Sequence, residues 1–257
     1  MAQVRPKKFL GQHFLKSEAY AQKIADSLTL NNYTTVLEIG PGTGVLTKYL
    51  LEKNIDLFAI EIDRDSIPYL KIHFPELKNK LVEGDFLKFP LDTFFEHQQI
   101  AVIGNYPYHI SSQIIFRALA FKHMIPELTG MFQRELAQRI AAEPGSKTYG
   151  VISVLAQAHY DIAYLFTVPP EVFSPPPKVK SGVIRMIRKP ETEFPCSYKL
   201  FRQVVKQGFN MRRKTLRNSL KPILPPGFQH DYLSQRPEQL SVEMFVEICL
   251  EIERLRK

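Results

Sequence analysis

The chain has 257 residues, 44% hydrophobic and 23% charged, with 34 Lys and Arg against 26 Asp and Glu for a net charge of +8. That length can bury a substantial core and suits one large domain with a small appendage, and the composition is that of an ordinary globular protein. No apolar run approaches the roughly 20 residues of a membrane span and no signal-peptide h-region opens the chain, so a cytoplasmic location is expected.

Taken in chain order, Ser17–Leu28 reads as an amphipathic helix with Ser17 as its N-cap. Four short runs rich in Val, Ile or Leu follow as strands: Thr35–Ile39, Leu57–Ile62, Lys80–Glu83 and Ala101–Gly104. Helical patterns separate or follow them at Gly44–Lys53, Asp65–His73 and His109–Phe121. This alternation predicts right-handed βαβ units and a parallel sheet covered on both faces. Leu128–Gln133 reads as a fifth strand and Gly150–Ala158 as a helix. Two more strands, His159–Val168 and Lys180–Ile187, flank the proline-rich Pro169–Pro177 and suit a hairpin with a long rigid loop. Lys189–Ser197 is polar, holds two prolines and marks a linker. Beyond it Tyr198–Gln207, Arg212–Leu220 and Ser241–Leu255 are helical in pattern, the last with Val242, Phe245, Val246, Cys249 and Ile252 on one face. The expected partition is an α/β domain over 1–188 and a small helical domain over 189–257.

The two cysteines, Cys196 and Cys249, stand far apart with no CxxC or Cys/His cluster, and the seven histidines are scattered. Neither a disulfide framework nor a metal site is read from them.

The segment Val36-Leu37-Glu38-Ile39-Gly40-Pro41-Gly42-Thr43-Gly44 is a strand running into a glycine-rich turn and then a helix. Such a turn lets backbone approach a nucleoside-like ligand at the C-terminal edge of a sheet. A dinucleotide fingerprint needs GxGxxG, and the third glycine would fall on Val45 or Thr47, so NAD fails in both registers. The pattern resembles instead the first motif of class I S-adenosylmethionine methyltransferases. Glu61 ends the second strand, where a carboxylate can accept from both ribose hydroxyls. Asp85 follows the third strand, where it can accept from the cofactor's adenine amine.

After the fourth strand stands Gly104-Asn105-Tyr106-Pro107-Tyr108. An adenine amine is a poor nucleophile because its lone pair is delocalised into the ring. Asn105 Oδ1 and the Tyr106 carbonyl can each accept one of its N–H bonds, favouring a pyramidal nitrogen that faces a methyl donor. Pro107 restricts residue 106 to extended geometry and so fixes that carbonyl. Tyr108 can stack on the base.

Charge is unevenly placed. Lys199, Arg202, Lys206, Arg212, Arg213, Lys214, Arg217 and Lys221 lie in a stretch without Asp or Glu, and Arg5, Lys7, Lys8 and Lys16 form a second cluster. An uncompensated basic stretch reads as a phosphate footprint, with Arg212, Arg213, Lys214 and Arg217 its densest part.

Taken together, these motifs resemble the small-subunit rRNA adenine dimethyltransferases over nearly the whole chain. The matching segments are Lys8–Leu15 (KFLGQHFL), the glycine turn, Glu61, Asp85, the Asn-Tyr-Pro-Tyr motif, Gln133-Arg134-Glu135, Tyr149-Gly150, Phe173–Val179, Arg212–Asn218 and Arg236–Ser241. The resemblance implies a Rossmann-like class I fold with a mostly parallel seven-stranded sheet and a small all-helical C-terminal domain that helps bind rRNA. It implies S-adenosylmethionine as cofactor, held by His13, Leu15, Gly40, Gly42, Glu61, Asp85 and Asn105. It further implies catalysis by Asn105 and Tyr108, with Phe173 stacking on the target adenine opposite Tyr108. The implied substrate is a pair of adjacent adenosines in the 3′-terminal hairpin loop of 16S rRNA in the immature 30S subunit, modified by a monomer. Two positions depart from the commonest pattern: His13 stands where many members have Asn, and Tyr106 where many have Leu. The rivals are the 23S rRNA adenine methyltransferases, which share cofactor and chemistry, a DNA adenine methyltransferase, and an assembly factor with a vestigial pocket. The RPEQLS-like segment and the TLRN run favour the small-subunit enzyme over the 23S one, no separate base-reading domain is evident for a DNA methyltransferase, and intact Glu61, Asp85 and Asn105 oppose the assembly factor.

Overall fold

The computed structural model describes residues 4–7, 10–190 and 193–256. Lys8 and Phe9 of the N-terminal motif and residues 191–192 of the expected linker lie outside the described residues. In chain order the elements are β1 (Phe14–Leu15), α1 (Glu18–Ala25), β2 (Thr35–Ile39), α2 (Thr47–Leu51), β3 (Asp56–Glu61), α3 (Ser66–His73), β4 (Leu81–Glu83), α4 (Leu91–Phe94), β5 (Ile100–Asn105) and α5 (Ser111–Ala120). There follow β6 (Glu127–Gln133), α6 (Arg134–Ile140), α7 (Val151–Gln157), β7 (Tyr160–Val168), β8 (Phe173–Ser174), β9 (Ser181–Arg188), α8 (Tyr198–Asn210), α9 (Leu216–Ser219) and α10 (Val242–Arg254).

Seven strands form one sheet in the order β4-β3-β2-β5-β6-β9-β7. The first five in that order run parallel, and β9 joins antiparallel to β6. All of β2 and nearly all of β5 are buried, which is why they read as unbroken apolar runs rather than alternating ones. The expected mostly parallel seven-stranded sheet is present, and the hairpin formed by β7 and β9 supplies its far edge. Strand order reverses between β2 and β5: β3 and β4 add on one side and β5 on the other. A crevice opens at such a reversal, outside the carboxyl ends of the strands. Ser17 caps α1 as its spacing predicts, its Oγ accepting from Tyr20 N at 3.5 Å.

A second, two-stranded ribbon has no sequence signature. β1 pairs antiparallel with β8, Phe14 opposite Ser174 and Leu15 opposite Phe173. Two-residue strands are too short to show a period of two.

By its internal contacts the chain divides into two compact units, Met1–Ala137 with Asp161–Arg188, and Gln138–Tyr160 with Lys189–Lys257. The expected single cut after residue 188 is therefore corrected, because α7 belongs with the C-terminal helices. Five consecutive residues of α7, Ile152 to Ala156, are buried, and α8 and α10 supply the cover. In this second unit Ser197 and Ser241 cap α8 and α10 by accepting from Leu200 N and Met244 N. The helix expected over Arg212–Leu220 shrinks to Leu216–Ser219. Arg212, Arg213 and Lys214 are adjacent like charges, Lys214 N turns back to Met211 O at 2.8 Å, and Thr215 is extended at φ −68°, ψ 157°. The two cysteines, distant in sequence, are both free and buried in this unit, each near enough to bear on the other's thiol, and burial pushes both thiols up.

Candidate active site

Four neighbouring strands deliver the floor of one cavity. Gly40 follows β2, Glu61 ends β3, Gly84 and Asp85 follow β4, and Asn105 ends β5; all line it, together with Leu10 to Phe14 and Tyr106 to Ile110. Gly40 takes φ 66°, and a Cβ built on it meets nothing within 4 Å, so its bare backbone faces open space. Gly42 has φ 58°, and a Cβ there would stand 3.0 Å from the Phe14 ring. Only glycine accepts both demands without strain.

Glu61 is 3% exposed and aligned by backbone: Oε2 accepts from Gly42 N and Oε1 from Asp63 N, each at 2.9 Å. Burial pushes its carboxyl above the ordinary value, while the amides of Asp63, Gly42 and Ile62 pull it back. Each oxygen keeps a further lone pair for a ligand hydroxyl. Asp85 lines the cavity, and its Oδ1 accepts from Leu87 N at 2.9 Å, which caps the turn after β4. Sequence reasoning passed over Glu38, whose Oε2 accepts from Thr47 Oγ1 at 2.7 Å. Burial pushes its carboxyl up to about 8.

Leu10 to Phe14 cross the cavity as a strap with fastenings on either side. Lys7 Nζ meets Asp63 Oδ1 at 2.5 Å and Asp65 Oδ2 at 2.7 Å, and Gln12 Nε2 donates to Asp63 Oδ2 at 3.1 Å. Burial alone would raise Asp63, but Lys7, Gln12 and the Asp65 amide outweigh it and hold the carboxyl below its ordinary value. At the other end the β1–β8 pairing and a His13 Nδ1 contact to Pro175 O at 2.8 Å secure it. None of Lys7, Gln12 and Asp63 carries a sequence signal for this role. Their contacts span more than fifty positions.

Between these fastenings the strap orients Asn105. Its Nδ2 donates to the His13 carbonyl at 3.0 Å. A carbonyl only accepts, so the amide cannot be turned the other way, and Oδ1 is left as the acceptor. Tyr106 is wholly buried, its hydroxyl donating to Thr129 O at 2.9 Å and its ring 4.7 Å from that of Phe132. Gly104 and Gly130 make the room: a Cβ on Gly130 would lie 2.4 Å from Tyr106 Cε2 and 2.5 Å from Gly104 O. Gly130→Ala is expected to cost about 1–3 kcal/mol by overpacking, read as a lower denaturation midpoint. An unchanged midpoint would mean that the Tyr106 ring has somewhere else to go.

Tyr108 lines the cavity with its hydroxyl 2.6 Å from Ser181 Oγ and its ring 5.5 Å from the His13 imidazole, and burial pushes its phenol up. Phe173 does not join it. That ring is 1% exposed in the core with Leu15, and neither residue lines the cavity. In this structure Phe173 pairs with Leu15 and its ring is packed in the core, so the expected stacking opposite Tyr108 would require the ring to turn out of that layer. Leu15 likewise offers no side chain to the cavity.

The family model for ribosomal RNA adenine dimethylase matches residues 3–254. The chain belongs to this family. Two similar relatives are both named ribosomal RNA small subunit methyltransferase A. That of Flavobacterium johnsoniae is 56% identical over 255 residues, 98% of each chain, and that of Porphyromonas gingivalis is 53% identical, covering 97% of this chain and 98% of its own. Among solved structures, a dimethyladenosine transferase from Plasmodium falciparum aligns with TM-score 0.78 at 26% identity, covering 94% of this chain and 98% of that one. The 23S rRNA methyltransferase ErmE shares the fold, with TM-score 0.71 at 24% identity over 92% of this chain and 99% of that one.

The dimethylase family uses S-adenosylmethionine, and the cavity fits that group by its donor set. It combines glycine backbone in the left-handed region, a buried carboxylate held at two amides, a second carboxylate at the next strand end and, among the described residues, no lysine or arginine along its lining. A pyrophosphate ligand would want the opposite charge. Glu61→Ala is expected to weaken cofactor binding by about 1–3 kcal/mol, the usual loss for a buried charge-assisted pair. Unchanged affinity by calorimetry in a folded variant would remove Glu61 from the site.

The basic residues of the uncompensated stretch are all at the surface: Lys199, Arg202 and Lys206 on α8, Arg212 to Lys214 in the turn, then Arg217 and Lys221. Arg212 Nη2 also donates to the Ser146 and Lys147 carbonyls.

Proposed function

We propose that the chain dimethylates the N6 amines of two adjacent adenosines in the 3′-terminal hairpin loop of 16S rRNA, acting as a cytoplasmic monomer on immature small subunits. The observation that carries this reading is the locked Asn105 amide, an acceptor held at the end of β5 beside a nucleoside-type pocket. The cofactor supplies an electrophilic methyl on a sulfonium when bound. Asn105 Oδ1 and the Tyr106 carbonyl accept the two N–H bonds of the adenine amine, which draws the nitrogen toward a pyramidal shape. Tyr108 lies against the base, its tilt fixed by Ser181. No strong general base is required, because charge disperses in the transition state and the product ammonium loses its proton afterwards. His13, Gly40, Gly42, Glu61 and Asp85 hold the cofactor, with Leu15 anchoring the strap from the core. Among the described residues no helix is long and apolar enough to cross a membrane.

The acceptor preference tests this reading. Methyl transfer to small-subunit particles lacking the modification should exceed transfer to 23S rRNA by orders of magnitude, and a preference for 23S rRNA would transfer the chain to the other rRNA class. The second unit's cations contribute the phosphate contacts. Replacing Arg212, Arg213, Lys214 and Arg217 with Gln should weaken rRNA binding and flatten its salt dependence by about one unit per lost contact, leaving cofactor affinity intact. An unchanged slope would make them an ordinary solvated surface.

A further inference from the structure

Scattered in sequence, two of the histidines come together with an acid. Asp92 on α4, His97 in the loop before β5 and His123 in the loop before β6 place one ligand atom each within 4.8 Å of one another. We infer that Asp92, His97 and His123 form a binding site for a divalent transition-metal ion of the zinc class, with solvent completing the coordination.

The donor set argues for that class. Two imidazole nitrogens and one carboxylate oxygen suit zinc and its neighbours, whereas calcium and magnesium want oxygen throughout. Around a tetrahedral ion with bonds of about 2.0–2.1 Å, ligand atoms lie roughly 3.3 Å apart. His123 Nε2 is 3.1 Å from Asp92 Oδ1, and His97 Nδ1 is 3.8 Å from the same oxygen. Two of the three edges are therefore near the required length. The remaining adjustment falls on His97 and His123, whose imidazoles are both exposed.

Backbone, by contrast, is already held. The His123 carbonyl accepts from Gln99 Nε2 at 2.9 Å and from Arg188 Nη1 at 2.8 Å. His97 N donates back to the Asp92 carbonyl at 3.3 Å, with Glu96 and His97 both at positive φ, 47° and 61°. Both loops lead into the N-terminal ends of β5 and β6, while the cofactor cavity lies beyond the C-terminal ends of the parallel strands. An ion here takes no part in methyl transfer. It clips the α4–β5 connection to the α5–β6 connection at the opposite edge of the sheet.

The test uses full-length, tag-free protein stripped with a chelator and titrated with zinc chloride by calorimetry, then with cobalt(II) followed by visible absorption. One equivalent should bind, the cobalt spectrum should be that of a low-coordinate nitrogen–oxygen site, and zinc should raise the unfolding temperature. His97→Ala and His123→Ala should each lower zinc affinity by at least about tenfold, and His73→Ala, outside the cluster, should not. Methyl-transfer activity of the variants should remain at the parental level, which also certifies their folding. Absence of stoichiometric binding overturns the proposal. So does binding that survives the His97→Ala/His123→Ala double substitution, for the ion would then sit elsewhere, the Cys196–Cys249 pair included.

Discussion

Asn105→Ala should lower single-turnover methyl transfer by roughly 100- to 1,000-fold, the usual loss when one well-placed hydrogen-bonding group leaves a closed site. Affinity for S-adenosylmethionine should change far less. The asymmetry follows from what the side chain touches. Nδ2 is spent on the His13 carbonyl, and Oδ1 is the atom left to meet the amine, an interaction that strengthens as the nitrogen pyramidalises. Loss of the strap contact adds a positioning defect, which Asn105→Asp separates from the chemical one. Aspartate offers acceptors only, so it cannot donate to His13 yet still presents an oxygen to the amine. Rapid-quench methyl transfer beside equilibrium cofactor binding reads both quantities. Near-normal turnover by a folded Asn105→Ala protein would remove Asn105 from the reaction.

Phe173→Ala should act first on stability, costing about 3–5 kcal/mol, as truncation of a buried aromatic does. The ring lies in the core, and β8, which carries it, holds the far end of the strap. A stacking residue and a packing residue respond differently to leucine. Phe173→Leu keeps most of the apolar volume and should recover most of the denaturation midpoint and most of the turnover. If the ring instead stacked on adenine, Phe173→Leu would remain stable and lose activity, with a deficit of about 1–3 kcal/mol in base binding. Chemical denaturation together with KM for the RNA substrate decides between them.

The contrast between Asn105 and Phe173 shows which parts of the site were legible. Gly40, Gly42, Glu61, Asp85 and Asn105 each sit at a strand's carboxyl end, and strand ends are visible as the point where an apolar run meets Gly, Asp or Asn. The regular βα alternation then brings those ends side by side, so the cavity follows from local pattern and handedness. Phe173 is different because its environment depends on β1, a two-residue strand some 160 positions away that leaves no periodic trace. The fastening of Lys7 and Gln12 on Asp63, and the seating of Tyr106 in the space left by Gly104 and Gly130, are likewise contacts between remote segments. In the second unit, α10 was legible from its apolar face, and the allegiance of α7 was not. A helix buried on most sides has no single face to announce its partner. Arg212 to Lys214 were legible as charge but misleading as helix, since charge repulsion sets local conformation as well as binding.

The account stands most directly on the identity of the methylated atom. Labelled S-adenosylmethionine should be incubated with the protein and with small-subunit particles lacking the modification, and the rRNA digested to nucleosides and mapped. The account predicts N6,N6-dimethyladenosine at two adjacent positions of the 3′-terminal hairpin loop, with labelling slowed by roughly 100- to 1,000-fold when Asn105 is replaced by alanine. Label on cytosine, on ribose, or on adenosines of 23S rRNA alone would contradict it.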